Sequence, residues 1–304
     1  MLSLASLPAM LAGLVLAPLA LGVVTRIKAF LSGRRGPPLF QPYREIAKLL
    51  RRGAVTSETT SWVFPMGPVL NLAAMIAALA MTPLGGVPAP LAFAGDLVLL
   101  AGLLALGRFA TMIAALDTGS SFEGMGASRE AFFAALAEPA LFLALAALVW
   151  VTGETSLSHV YGAMTPGLWA GAAPAIGLAA ATLMVVFLVE NARMPVDDPT
   201  THLELTMIHE VMVLDTSGPD LGLVHYAAAL KLWVLGLLLA GALVPVRTGS
   251  PWFDAAGVLA GLLALWIVLG VLESVLARLR LRHVPELIVA SGALAVVAFV
   301  LTLG

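Results

Sequence analysis

Eight stretches of about twenty apolar residues, roughly 4–24, 62–83, 95–116, 131–151, 169–190, 222–245, 254–274 and 285–303, govern how this chain can fold. Each is long enough, as a helix, to cross the hydrocarbon layer of a bilayer. The composition agrees: 60% of residues are hydrophobic, 11% are charged, and mean hydropathy is +1.00. A soluble domain runs closer to about 45–50% apolar and 25% charged. The expected fold is all-α, a single polytopic transmembrane bundle of about eight helices over residues 1–304. Met1 to Val24 has no Lys or Arg ahead of its apolar stretch. That stretch is also longer than a signal-peptide core, so it reads as a retained first helix. Leu84-Gly85-Gly86-Val87-Pro88-Ala89-Pro90 marks a connection of turn-forming residues.

Orientation follows from the basic residues. With the N-terminus outside, the cytoplasmic connections receive Arg26, Lys28, Arg34, Arg35, Arg44, Lys48, Arg51, Arg52, Arg129, Arg193, Arg278, Arg280 and Arg282, and the outer ones only Arg247. An even number of spans then puts both termini outside, in the cytoplasmic (inner) membrane of a prokaryote. Arg108 and Lys231 fall inside spans, where a cation is costly and an anionic partner is expected.

Two cytoplasmic segments, 26–61 and 191–220, are longer than plain turns require and are expected to dock a partner. In the first, Pro42 opens a short amphipathic helix with Tyr43, Ile46, Leu49 and Leu50 on one face and Arg44, Lys48, Arg51 and Arg52 largely elsewhere. Its charge, with Arg34 and Arg35, exceeds what a connection needs, and attraction to anionic lipid is the simpler alternative. In the second, Asp198 or Thr200 is placed to cap a helix carrying His202, Glu204, His209 and Glu210.

The acids carry the chemistry. With no cysteine in the chain, disulfides, iron–sulfur ligation and thiol catalysis are excluded, and any thiolate-held cofactor must belong to another chain. Glu138 lies inside an apolar run directly before Pro139, and Glu190 closes another. Carboxylates are expensive there, and a group that repeatedly exchanges its proton is one that uses such a position. With Glu123, Asp197, Asp198, Glu204 and Glu210 they form a candidate proton relay entering the membrane from the cytoplasmic side. Arg129, nine residues before Glu138, and Arg193, three after Glu190, are candidate cations that lower the cost of the charged forms. Glu130, Asp215 and Asp220 read more simply as solvated loop acids. His202 and His209 share a helical face, but their spacing is a weak metal signature. A polar helix against a partner accounts for it better.

Three motif groups carry a resemblance to a known family. They are Gly33-Arg34-Arg35-Gly36-Pro37-Pro38 with Gln41-Pro42 and Lys48; Gly126-Ala127-Ser128-Arg129-Glu130 with Glu138-Pro139; and Glu190-Asn191-Ala192-Arg193-Met194-Pro195-Val196-Asp197-Asp198. Together they resemble the membrane-arm subunit that joins the peripheral arm of respiratory complex I. The stretches 196–210 and 273–286 are more similar to the formate hydrogenlyase and hydrogenase-4 type of subunit, within the group 4 energy-converting [NiFe]-hydrogenases. The resemblance implies a non-catalytic, proton-conducting membrane subunit that binds no cofactor itself. It implies docking, through residues such as Gln41, of soluble hydrogenase-like large and small subunits, which would hold any nickel–iron centre and iron–sulfur clusters. It also implies antiporter-like membrane neighbours, the bilayer as surroundings, and no nucleic acid. Asp215-Thr216-Ser217-Gly218 departs from the family's Glu/Asp-Tyr-Ser-Gly pattern, so no role passes to Asp215. A quinone-site subunit of a complex I-like dehydrogenase and a proton-coupled secondary transporter are the alternatives.

Overall fold

The computed structural model describes residues 6–197 and 207–303, and these are helical nearly throughout. The elements are α1 (Leu7–Leu31), α2 (Gln41–Leu50), α3 (Val63–Ala80), α4 (Asp96–Asp117), α5 (Ser121–Thr152), α6 (Leu157–Ala163), α7 (Pro166–Gly171), α8 (Ala173–Glu190), α9 (Gly218–Leu243), α10 (Pro251–Val275) and α11 (Val284–Val300). Among the described residues, eight helices are long and apolar enough to cross a membrane: α1, α3, α4, α5, α8, α9, α10, and α11 with the short turn before it. This matches the eight apolar runs of the sequence.

Two boundaries depart from the expectation. The fourth span starts at Ser121 instead of 131, because the charges of Glu123, Arg129 and Glu130 lower local hydropathy without breaking the helix. At 32 residues, α5 is about 48 Å long against a hydrocarbon core of about 30 Å, so it must project beyond the membrane. The fifth run divides into α7 and α8, with Ala172 leaving helical geometry between them.

α9 is the hub. It packs against α1, α2, α3, α8 and α10, and its buried residues lie all round the helix rather than along one stripe. α11 fills the groove between α5 and α8, while α3 pairs with α4. Pro18 in α1 cannot donate to the Leu14 carbonyl, and the Tyr226 hydroxyl of α9 donates to that oxygen instead, at 2.8 Å. From α2, the Tyr43 hydroxyl donates to the neighbouring Val15 carbonyl.

The connections gather at two ends. At one, Val55 donates to Ser217, Ser61 to Asp117, and Asp215 to Glu123. At the other, Gly95 donates to Thr155, Leu157 to Asp96, and Thr248 to Asp254. The arginine-rich segments share the first end, and Arg247 sits at the second, bonded to the Tyr161 carbonyl.

Candidate functional site

Four helices bring charge together inside the bundle. Arg108 of α4, its side chain 5% exposed, pairs with Glu138 of α5 and Glu190 of α8. Lys231 of α9 stands 3.7 Å from the second Glu190 oxygen. The two intraspan cations thus have the anionic partners expected from sequence. Glu190 is buried, whereas 37% of the Glu138 side chain is exposed at the edge of the cluster. Gly107 lets α3 approach: a Cβ there would lie 2.8 Å from both Asn71 Oδ1 and Met75 Cε. Asn71 in turn donates to Thr111 at 3.2 Å.

A second layer lies toward the arginine-rich end. Asp197 is buried, pairs with Arg278 at 2.8 Å, and accepts from the Ile208 and His209 amides at 3.1 and 3.2 Å. These bonds tie Ile208 and His209 back to Asp197, and a 3₁₀ turn follows over Glu210–Val213 where the sequence suggested a continuing helix; the start of that expected helix, at Asp198 or Thr200, lies outside the described residues. Met207, Ile208, Val211 and Met212 are buried, and Val211 seats on Gly126 of α5, where a Cβ would come within 2.3 Å of it. Glu273 of α10 is fully buried between Lys28 at 2.9 Å and Arg193 at 3.3 Å, tying α1, α10 and the segment after α8 together. Burial and the nearby charges of Lys231, His225 and Arg193 push His209 down to about 3, so its imidazole is neutral at physiological pH.

Between these layers and α2 is a cavity of about 380 Å³. Its lining is mostly apolar, but eight ionisable residues reach it: Lys28, Glu45, Arg193, Asp197, His209, Glu210, His225 and Glu273.

The acids singled out from sequence divide as follows. Glu138 and Glu190 meet at Arg108; Asp197 and Glu210 line the cavity; Glu123 is buried near the start of α5, accepting from the Asp215 amide at 3.0 Å. Asp198, His202 and Glu204 lie outside the described residues. Arg129 donates to the Met207 carbonyl at 2.8 Å, and Arg193 pairs with Glu273. Gln41 lines the cavity and donates to Glu45 at 3.0 Å, whereas Arg34, Arg35, Lys48, Arg51 and Arg52 are exposed.

Glu130 is not the solvated loop acid expected from sequence: it is 8% exposed, inside α5. Its seven-residue spacing from Glu123, two helical turns on the same face, was the available signal. Glu273 was also missed as a site residue. A buried acid in the last turn of an apolar helix, with basic residues following, was the clue.

A polytopic helical membrane protein with an internal charge cluster beside a charged cavity is the class that this fold and site define. The chain belongs to the NADH dehydrogenase family of membrane subunits, matching it over residues 5–303. It is 33% identical to formate hydrogenlyase subunit 4 of Escherichia coli K12 over 93% of each chain. Identity to hydrogenase-4 component C of the same organism is 31%, over 93% of this chain and 91% of that one. One subunit of the NADH-quinone oxidoreductase of Verminephrobacter eiseniae is 26% identical over 74% of this chain and 67% of its own length. The fold is shared with a chain of the membrane-bound sulfane sulfur reductase, an archaeal respiratory membrane complex, at a TM-score of 0.84, 20% identity and 98% coverage of both chains.

Proposed function

We propose that this chain is the energy-coupling, proton-conducting membrane subunit of a hydrogenase-type complex, linking electron transfer on docked soluble subunits to proton movement. The observation that carries this reading is the buried Arg108–Glu138–Glu190–Lys231 cluster set beside the charged cavity. A paired cluster of this kind can change protonation without leaving a bare ion in hydrocarbon. In this reading Glu123, Glu138, Glu190, Asp197, Asp198, Glu204 and Glu210 relay protons, and Arg129 and Arg193 fix the segments that carry them. Arg34, Arg35, Lys48, Arg51 and Arg52 dock the soluble large and small subunits. Those subunits hold the nickel–iron and iron–sulfur centres, since this chain has no thiolate to offer. Antiporter-like membrane subunits adjoin the bundle. The relatives named for formate hydrogenlyase and hydrogenase-4 cover more of the chain, at higher identity, than the quinone oxidoreductase subunit. The cavity's size favours one second reading, a quinone site, because about 380 Å³ is within the range of small-molecule pockets.

Glu138→Gln with Glu190→Gln tests the reading. In the assembled complex, reconstituted into proteoliposomes, proton movement per electron transferred should fall at least about tenfold, with the Asp variants retaining more. An assembled double variant that couples at the parental ratio sinks the proposal. A hydrophobic quinone analogue that blocks electron transfer competitively would favour the second reading.

The reading also puts both termini outside and the arginine-rich end in the cytoplasm. Single cysteines at Thr60 and Gly153, introduced into a chain that has none, should react from opposite faces of sealed vesicles, Gly153 from outside. Labelling of both from outside rejects this topology.

A further inference from the structure

The surface of the bundle carries a second set of charges, where α1 and α10 end side by side. As the first and seventh of the eight spans they run in the same direction, and they pack closely there: a Cβ on Gly270 would lie 2.8 Å from Ile27 Cβ. Beyond this contact is an open groove of about 620 Å³, whose lining includes Lys28, Ser32, Arg34, Arg35, Ser274 and Val275. Each of the two helices has 25 residues, about 38 Å against a hydrocarbon core of about 30 Å. Their ends, and the groove with them, therefore reach the headgroup layer at the arginine-rich end.

Every ionisable residue lining the groove is basic. Lys28 is already paired with Glu273 at 2.9 Å, but among the described residues neither Arg34 nor Arg35 makes a side-chain hydrogen bond or an ion pair. Two neighbouring guanidinium groups without a counterion repel each other and attract an anion. The loop that presents them is held in place: Arg26 donates to the Gly36 and Pro37 carbonyls at 3.2 Å each, and Gly36 seats on Ala29, where a Cβ would come within 2.6 Å. The hydroxyls of Thr25, Ser32 and Ser274 donate to the Leu21, Lys28 and Gly270 carbonyls of their own helices. The free donors are thus the guanidinium forks, whose geometry matches a phosphate. Apolar surface adjoins this charge. Val275 lines the groove and is 74% exposed, and Val271 and Val268 carry its stripe back along α10 toward the membrane interior, both exposed.

We propose that this groove is a binding site for one anionic phospholipid, its phosphate on Arg34 and Arg35 and an acyl chain along the Val275, Val271 and Val268 stripe of α10. A basic recess between spans at the headgroup level is suited to such a lipid. A zwitterionic lipid fits less well, because its amine brings a further cation into a groove that has no acid to meet it. Free phosphate would satisfy the arginines but leave the valine stripe unused. The site goes beyond the proton-conducting reading and uses none of its relay acids. Lys48, Arg51 and Arg52 do not line the groove, so a lipid there leaves them open to the soluble subunits.

The experiment places the assembled complex in proteoliposomes containing photoreactive phosphatidylglycerol or photoreactive phosphatidylcholine, each with its reactive group on an acyl chain. The phosphatidylglycerol probe should label the end of α10 about fivefold or more above the phosphatidylcholine probe. Arg34→Gln with Arg35→Gln should bring that labelling down to the phosphatidylcholine level. Arg280→Gln, at an exposed arginine that does not line the groove, should leave it unchanged. If the double variant does not assemble, Arg34→Gln alone decides, and should lower the labelling by about half or more. Equal labelling of the parental α10 by the two probes overturns the proposal. So does parental labelling in the assembled arginine variants, which would leave Arg34 and Arg35 to the docking of soluble subunits alone. Loss of labelling on adding millimolar inorganic phosphate would make a free anion the occupant, and overturns the lipid site as well.

Discussion

Replacing Arg108 with glutamine is expected to destabilise the bundle by about 3–5 kcal/mol, because it leaves the Glu138 and Glu190 carboxylates to share the Lys231 cation. Glu190 bears most of the effect, with 2% of its side chain exposed and Lys231 as far as 3.7 Å away. Glu138, 37% exposed, contributes less, since its charge is partly screened. Removing all four charges in an Arg108→Gln, Lys231→Gln, Glu138→Gln, Glu190→Gln variant should recover much of the lost stability, as neutral isosteres of a buried ionic group are often tolerated. The measurements are assembled complex on a native gel and the unfolding midpoint of the purified complex. A single Arg108→Gln variant with parental yield and midpoint would mean that the cluster does not hold α4, α5 and α8 together.

Gly22→Val should have the second large effect, on the seating of α2. A Cβ at Gly22 would lie 2.1 Å from the Leu39 carbonyl oxygen, and a backbone atom cannot rotate aside. α1 and the chain entering α2 must therefore separate, opening the wall that Gly22, Gln41, Glu45 and Ile46 give the large cavity. Amide hydrogens of α2 should exchange at least about tenfold faster, a factor equal to about 1.4 kcal/mol. Tyr43→Phe is the control: it removes one hydrogen bond to Val15, worth about 1 kcal/mol, and leaves the close approach intact. Parental exchange in Gly22→Val would show that the contact is dispensable.

The number and order of the spans were legible because apolar length is a one-dimensional property. Pairing is not. Arg108 could be recognised as needing an anion, but that Glu138 and Glu190 share it depends on α4, α5 and α8 converging, which no local pattern encodes. Glu130 and Glu273 were missed for one reason: each lies near the polar end of a span, where hydropathy falls as it does in a loop. Only packing by the 207–213 segment and by Lys28 and Arg193 distinguishes them from solvated acids. Of the helix expected from Asp198 or Thr200, only the end is described, and there Glu210–Val213 form a 3₁₀ turn while the Asp197 carboxylate captures the Ile208 and His209 amides, a contact eleven and twelve residues long in sequence.

The cluster has a chronology as well as a geometry. A ribosome delivers its members as Arg108, Glu138, Glu190 and then Lys231, a cation, two anions and a cation. Arg108 in α4 enters the membrane with only its apolar neighbours to support it, and α5 follows after a three-residue connection, bringing the first counterion almost at once. After α8 the nascent cluster carries one surplus negative charge, held open until α9 arrives. Lys231 cancels that charge as α9 takes its place at the hub, so electrostatic closure comes before α10 and α11 complete the packed core. A chain that ends before α9 holds Arg108, Glu138 and Glu190 without Lys231, and so keeps one uncompensated acid in the membrane.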